Sequence, residues 1–329
     1  MIIIHFITDA RDVPKNKLRI CYNFFRMILV TGGTGFIGSA LVRHLADRRE
    51  PVRLLIHPSI KSPSIPKGRS LEIAVCALND ERGLRAILSD VDTIYHLASS
   101  ENQGSRSNLF SVDVGGTTTI CNAASDAHVK RIIFLSHLGA DSASAYPYLK
   151  AKGISEVIIK GSKVDHTIIR SAIVYGLNDH FTTNLRRLIK MSPGFLYLPE
   201  DGVTLIQPLW VEDIATCLTW SLDNPAFANQ TIEIGGPEYF SFKEVIKILM
   251  DNISIRRSLF SIHPVQLNRL TEFFEIFSKK FPASVFLIDY LAEDRICDLN
   301  SIPTYFNFRP SRFTSHLGHI HEVGHSSHK

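Results

Sequence analysis

Two tyrosine–lysine pairs of the same spacing, Tyr146/Lys150 and Tyr148/Lys152, have the residue types for proton transfer. Residues four apart share one face of a helix, so the ammonium can lower the phenol pKa from its ordinary value of about 10. Pro147 chooses between the pairs. It pushes the preceding residue out of the helical region and itself favours the first helical position. Tyr146 then stands outside the helix, while Tyr148 and Lys152 project together from its first turns, with Glu156 one turn further. The competing reading is a surface tyrosine and a solvated lysine.

A second set of residues suits anion binding. MILV at 27–30 runs directly into TGGTGFIGSALVRHLADR, which puts Gly33, Gly35 and Gly38 in GxGxxG spacing and Gly32, Gly35 and Gly38 in GxxGxxG spacing. Ile37, Leu41 and Leu45 form one helical stripe behind them. Glycines permit the tight turn and let main-chain N–H groups reach a pyrophosphate at a helix N-terminus, where the dipole favours negative charge. Thr31, Gly32, Gly33, Thr34, Gly35, Phe36, Ile37 and Gly38 are therefore the candidate dinucleotide cradle; a flexible loop is the competing reading. An acidic residue after the second strand would bind the ribose hydroxyls of NAD and repel a 2′-phosphate. Here VRLLIHPSIK has His57 at that place, followed by Lys61, Lys67 and Arg69, which favours NADP(H) over NAD(H).

Such residues need elements to hold them. Short apolar runs at 27–30, 52–56, 71–76, 93–97, 131–135 and 167–169 alternate with longer amphipathic stretches. That pattern predicts an α/β fold, a doubly wound parallel sheet covered by helices on both faces, with a smaller C-terminal substrate lobe. The expected organisation is an N-terminal extension over 1–26 ahead of Met27, a nucleotide-binding domain over 27–178 with 204–236 returning to it, a substrate lobe over 179–203 and 237–312, and a flexible His-rich tail over 313–329. Residues 264–291 carry Leu267, Leu270, Phe273 or Phe274, Phe277 and Phe281 at helical spacing, a stripe read as core first and as a surface for an isoprenoid, quinone or membrane partner second.

Composition excludes several classes. The chain has 329 residues, 45% hydrophobic and 21% charged, which rules out disorder, collagen and a disulfide scaffold. Its apolar runs are too short to span a bilayer, so the expectation is a cytoplasmic protein, peripheral to the membrane at most, without stable membrane insertion. Scattered basic residues and a net charge of +4 come with no nucleic-acid motif, so no nucleic acid is expected as a partner. Cys21, Cys76, Cys121, Cys217 and Cys297 include no CxxC pair and read as reduced thiols. The tail histidines His316, His319, His321, His325 and His328 have irregular spacing, and no metal site is expected.

Beyond these residue-level readings, the chain resembles the extended or atypical short-chain dehydrogenases/reductases, which are akin to NAD-dependent epimerases/dehydratases. The matching pieces are TGGTGFIG at 31–38, VDTIYHLAS at 91–99, VDVGGT at 112–117, VKRIIFLSHLGA at 129–140, YLKAKGISE at 148–156, IIRSAIVYG at 168–176, LIQPLWVEDIA at 205–215 and IEIGGPEYFSFKEVI at 232–246. SHLGAD and the LAED at 291–294 most resemble the branch that holds the NADPH-binding accessory subunit of respiratory complex I, with NmrA-type redox sensors as neighbours.

The resemblance implies an NAD(P)-dependent oxidoreductase or epimerase for a small carbonyl, nucleotide-sugar or isoprenoid/quinone-type substrate. Tyr148 would be the acid/base, Lys152 would lower its pKa and hold the nicotinamide ribose, and Ser136 or His137 would steady the substrate oxygen. Leu78, Leu97, Ala98, Ser99 and Ser171 would complete the cofactor contacts. Three places depart from the family: His137 stands in the usual hydroxyl position, Asp113 replaces the Asn of N-x-x-G-T, and Cys76-Ala77-Leu78 replaces Gly-Asp-Leu. Arg170-Ser171 also stands where Arg-Pro is usual. These departures motivate the alternative, a non-catalytic NADPH-binding accessory subunit or redox sensor in a homodimer or a respiratory, quinone-related complex.

Overall fold

The computed structural model describes residues 27–60, 62–63, 65, 71–101, 107–277, 282 and 285–322. The expected extension over 1–26, Cys21, Lys61, Lys67, Arg69, Phe281, His325 and His328 lie outside the described residues.

A seven-stranded, all-parallel sheet organises the first part of the chain. β1 (Met27–Thr31) leads into α1 (Phe36–Asp47), β2 (Val52–Ile56) and β3 (Glu72–Val75), then α2 (Glu81–Ile87) and β4 (Val91–His96). A π-helical turn at Phe110–Gly115 continues into α3 (Gly116–Asp126), followed by β5 (Arg131–His137), α4 (Pro147–Gly161) and β6 (Asp165–Ser171). Further on come β7 (Val174–Tyr175), α5 (Thr182–Met191), β8 (Phe195–Pro199), β9 (Leu205–Ile206), β10 (Leu209–Trp210), α6 (Val211–Ser221) and β11 (Gln230–Ile234). The sheet order is β11-β6-β5-β4-β1-β2-β3, so the chain winds outward from β1 in both directions, and β11 returns to close the far edge.

Burial explains why these runs are strands. Ile28, Leu29 and Val30 of β1 are all fully buried, as expected where helices cover both faces. Ile28 and Val30 join a core made with α1 and α6, whereas Leu29 joins one made with α2, α3 and α4. Arg53 in β2 is the polar exception. Its guanidinium reaches Glu72 of β3 at 2.6 Å, both Asp90 carboxylate oxygens and the Ile87 carbonyl, which pins β2 and β3 to the end of α2. Among the described residues Cys76, Cys121, Cys217 and Cys297 are free thiols, and no helix is long and apolar enough to cross a membrane.

The second lobe continues with β12 (Phe240–Ser241), α7 (Phe242–Asn252), β13 (Ser258–Ile262), α8 (Pro264–Phe277), α9 (Val285–Tyr290), α10 (Ser301–Phe306) and α11 (His319–Glu322). It has its own core, in which Leu185, Ile189, Leu196, Leu198, Val245 and Leu249 take part. Two expectations are corrected here. Residues 313–322 are packed rather than a flexible tail: Phe313, Leu317 and Ile320 are buried in the lobe core, and the His316 ring stacks on Trp210 at 3.7 Å. The stripe on α8 is not core, because Leu270, Phe273 and Phe274 are exposed and Thr271 is the buried residue of that turn. Among the described residues α8 packs on α9 and β8.

Candidate functional site

At the carboxyl end of β1 the backbone turns through Gly32, whose φ of +71° favours glycine. A Cβ there would lie 2.6 Å from the Ala98 nitrogen, so the turn presses directly on the segment Leu97–Ser99 after β4. The Gly35 N–H donates to the Gly32 carbonyl at 3.0 Å. Gly38 in the first turn of α1 sits where a Cβ would be 2.2 Å from the Gly32 oxygen and 2.7 Å from the Gly33 Cα. Gly35 caps α1 without a side-chain hydrogen bond, which leaves the first-turn N–H groups free for an anion. A dinucleotide pyrophosphate fits these residues, since at Gly32, Gly33 and Gly38 the cradle is main chain with no room for a side chain.

Polar groups beneath the cradle fix its walls. The Thr31 hydroxyl and His96 Nδ1 are 2.8 Å apart, and His96 Nε2 is 3.0 Å from the Thr117 hydroxyl. Burial lowers the His96 pKa to about 4, so it spans the two threonines as a neutral ring. His57 is exposed just past β2, with Nδ1 2.8 Å from the Ser59 hydroxyl. The stretch 57–60 has no carboxylate. Leu78 packs on Gly116 at the head of α3.

Beside the cradle, α4 carries the phenol and the ammonium. Tyr146 is extended (φ −88°, ψ 119°) and Pro147 takes the first helical position, so Tyr148 and Lys152 emerge from the first turns, as Pro147 dictates. Both are buried. The Lys152 ammonium lies 5.8 Å from the Tyr148 ring centroid and 5.1 Å from that of Phe134. It donates to the Leu135 carbonyl at 3.5 Å and pairs with Asp113 at 3.7 Å. Asp113 also accepts from the N–H and hydroxyl of Ser100, at 3.1 and 2.9 Å. Burial holds the Tyr148 phenol well above its ordinary pKa, and a hydrogen bond to the Glu101 carboxylate raises it further.

β5 sends alternate side chains to opposite faces, and that separates Ser136 from His137. The Ser136 hydroxyl donates to Glu156 at 2.6 Å; Glu156 also accepts both Nε and Nη2 of Arg170. His137 points the other way, edge-on to Tyr148 at 5.3 Å and to Tyr290 at 5.9 Å. Burial pushes its pKa down to about 4, and among the described residues its Nδ1 has no hydrogen-bond partner. Ser171, at the end of β6, is buried behind the pair with its hydroxyl 3.5 Å from the Ser136 carbonyl.

Three residues of this pocket escaped the sequence reading: Glu101, Tyr290 and Arg295. Tyr290 accepts the Ile173 N–H at 3.1 Å while facing His137. Arg295 is buried, pairs with Glu293 at 2.8 Å and leaves its Nε without a partner. It rests against Gly139 (φ +80°), where a Cβ would be 2.5 Å from the guanidinium. The LAED stretch ends one residue before Arg295, and no spacing rule connects either residue to β5.

The geometry is that of a nucleotide cradle beside a phenol, an ammonium and an imidazole, and residues 32–193 match a family model described as NAD(P)H-binding. That stretch is an NAD(P)H-binding domain of this family. The chain is 27% identical over 230 residues to the Arabidopsis thaliana NADH dehydrogenase [ubiquinone] 1 alpha subcomplex subunit 9, mitochondrial, covering 68% of this chain and 57% of that protein. It is 27% identical to the NAD(P)H azoreductase of Xenophilus azovorans, covering 68% and 72%. In fold it is similar to a solved nucleoside-diphosphate-sugar epimerase from Staphylococcus aureus, with a TM-score of 0.71, 17% identity, and coverage of 88% of this chain and 98% of that chain. The chain spans between about half and three fifths of the length of several curated relatives that it matches. The parallel-sheet fold of this chain is thus shared with that solved epimerase.

Proposed function

We propose that this protein is an NAD(P)H-dependent oxidoreductase that reduces a carbonyl-type substrate, with NADP(H) favoured over NAD(H). The observation that carries this is the Tyr148–His137 pair, with ring centroids 5.3 Å apart and the phenol buried beside the glycine cradle. The reduced dinucleotide, when bound, supplies hydride chemistry. Tyr148 keeps its proton because burial and Glu101 hold its pKa high, and it gives that proton to the substrate oxygen. His137, neutral and with Nδ1 unpartnered, hydrogen-bonds the same oxygen. Lys152 holds the nicotinamide ribose. Ser136, tied to Glu156, supports β5 instead of reaching substrate. The preference for NADP(H) rests on the absence of a carboxylate after β2. Small carbonyls, nucleotide sugars and isoprenoid or quinone-type molecules are the substrate classes to test, and the cell compartment proposed is the cytoplasm.

A second reading is a non-catalytic NADPH-binding subunit or redox sensor, in a homodimer or a respiratory complex. The Lys152–Asp113 contact favours it, because an ammonium held by that carboxylate is less available to a nicotinamide ribose. Turnover over a panel of those substrates, measured for wild type and Tyr148→Phe beside calorimetric titration with NADPH, separates the two. The catalytic reading expects a loss of about 10²- to 10⁴-fold with NADPH affinity unchanged. Undiminished turnover in the variant overturns it, and tight NADPH binding with no turnover at all supports the second reading.

A further inference from the structure

β8 and β13 form a parallel ribbon in which Phe195 pairs with Ser258 and Tyr197 with Phe260. One face is buried: Leu196 and Leu198 enter the lobe core. The other faces solvent and is aromatic, with Phe195 37%, Tyr197 44% and Phe260 52% exposed. Their rings lie 5.4, 6.1 and 6.5 Å apart, a continuous apolar patch and not scattered single residues. Met191 at the end of α5 and Val265 at the start of α8 are also exposed.

Charge around this patch is predominantly positive. Segments 187–199 and 252–271, which supply the ribbon and the turns flanking it, contain Arg187, Lys190, Arg256, Arg257 and Arg269 and no Asp or Glu, while Arg186 just before them is buried. The bordering carboxylates are Asp251, Glu200, Asp201 and Glu272; Glu200 and Asp201 lie past the end of β8 farthest from Arg256, where the Asp201 N–H donates to the Ser261 hydroxyl at 3.1 Å. Arg257 bonds the Ile189 carbonyl and the Ser192 hydroxyl, which ties the start of β13 to the end of α5 and gathers Lys190 and Met191 near Arg256.

We propose that this ribbon docks on an anionic phospholipid bilayer, lying in the headgroup layer. Aromatic rings and methionine supply the apolar contact, and the cations meet lipid phosphates. A second copy of the chain fits less well, because an isologous contact would set two faces of like charge against each other. The proposal does not rest on the reductase reading, since no residue of the ribbon belongs to the cradle or the phenol pocket.

Vesicle flotation of the full chain tests it, with phosphatidylcholine vesicles against vesicles that also carry phosphatidylglycerol, at low and high salt. The expected result is at least tenfold stronger binding to the anionic vesicles, weakened by salt. Each cation near the surface is worth about fivefold, so the Lys190→Glu/Arg256→Glu variant should bind at least tenfold more weakly. Phe195→Ser/Phe260→Ser should lose binding as well, while both variants retain NADPH affinity by calorimetry. Binding to neither vesicle, equal binding to both, or wild-type binding by the charge-reversed variant overturns the proposal. So does a dimer in sedimentation velocity that the phenylalanine variant abolishes, which would assign the patch to a second copy.

Discussion

Gly38 and Gly35 look equivalent in the glycine motif, but their surroundings are not. A Cβ at 38 would collide with the Gly32 carbonyl at 2.2 Å, main chain that cannot yield without opening the cradle, whereas a Cβ at 35 would meet the same oxygen at 3.2 Å. Gly38→Ala should therefore weaken NADPH binding at least tenfold in calorimetry, and Gly35→Ala should change it much less. Motif spacing shows which glycines take part; only the packed backbone shows which of them is indispensable. The residues around the proposed proton donor divide in the same way. Tyr148 and Lys152 were legible because Pro147 sets the helix start, a local effect. Glu101 and Arg295 were not, since their place beside His137 depends on contacts across the chain.

At the scale of elements, β2 is held by a charge as well as by apolar packing. Arg53 is buried in a strand whose other residues are hydrophobic, and Glu72, Asp90 and the Ile87 carbonyl share its guanidinium. Arg53→Met keeps volume but removes those ties and leaves the partly buried Glu72 without its cation. It should cost about 1–3 kcal/mol, read as a lower urea midpoint with an unchanged slope. The strands themselves were legible from apolar runs between amphipathic stretches, because both faces of a parallel sheet must be buried. The α8 stripe misled for the converse reason: helical spacing of Leu270 and Phe273 says that one face is apolar and is silent on whether anything covers it. Likewise His316 and His319 suggested a loose tail by composition, yet the Trp210 stack and a 2.9 Å contact from His319 to Thr182 anchor them.

For the molecule as a whole, two histidines with lowered pKa set the response to mild acid. His96 and His137 fall to about 4 in the folded state from 6.5, so the unfolded chain binds more protons between those values. Stability should then rise with pH through that window and be lost as pH falls from about 6.5 toward 4, by about 2 kcal/mol per histidine at pH 5. Asp289, raised to about 6 by burial, works in the opposite direction and offsets part of this. Urea unfolding at pH 5 and pH 7 checks the sign, and His96→Gln, which cannot take up the proton, should flatten the slope. One further consequence belongs to Gly139, the keyhole through which the two halves of the molecule meet. Its missing side chain is what admits the Arg295 guanidinium, and with it the positive potential over the imidazole. A single methyl group at this threshold would displace that cation, so one of the three charges that bear on the imidazole, beside Glu101 and Lys152, is admitted by a position that has no functional group of its own.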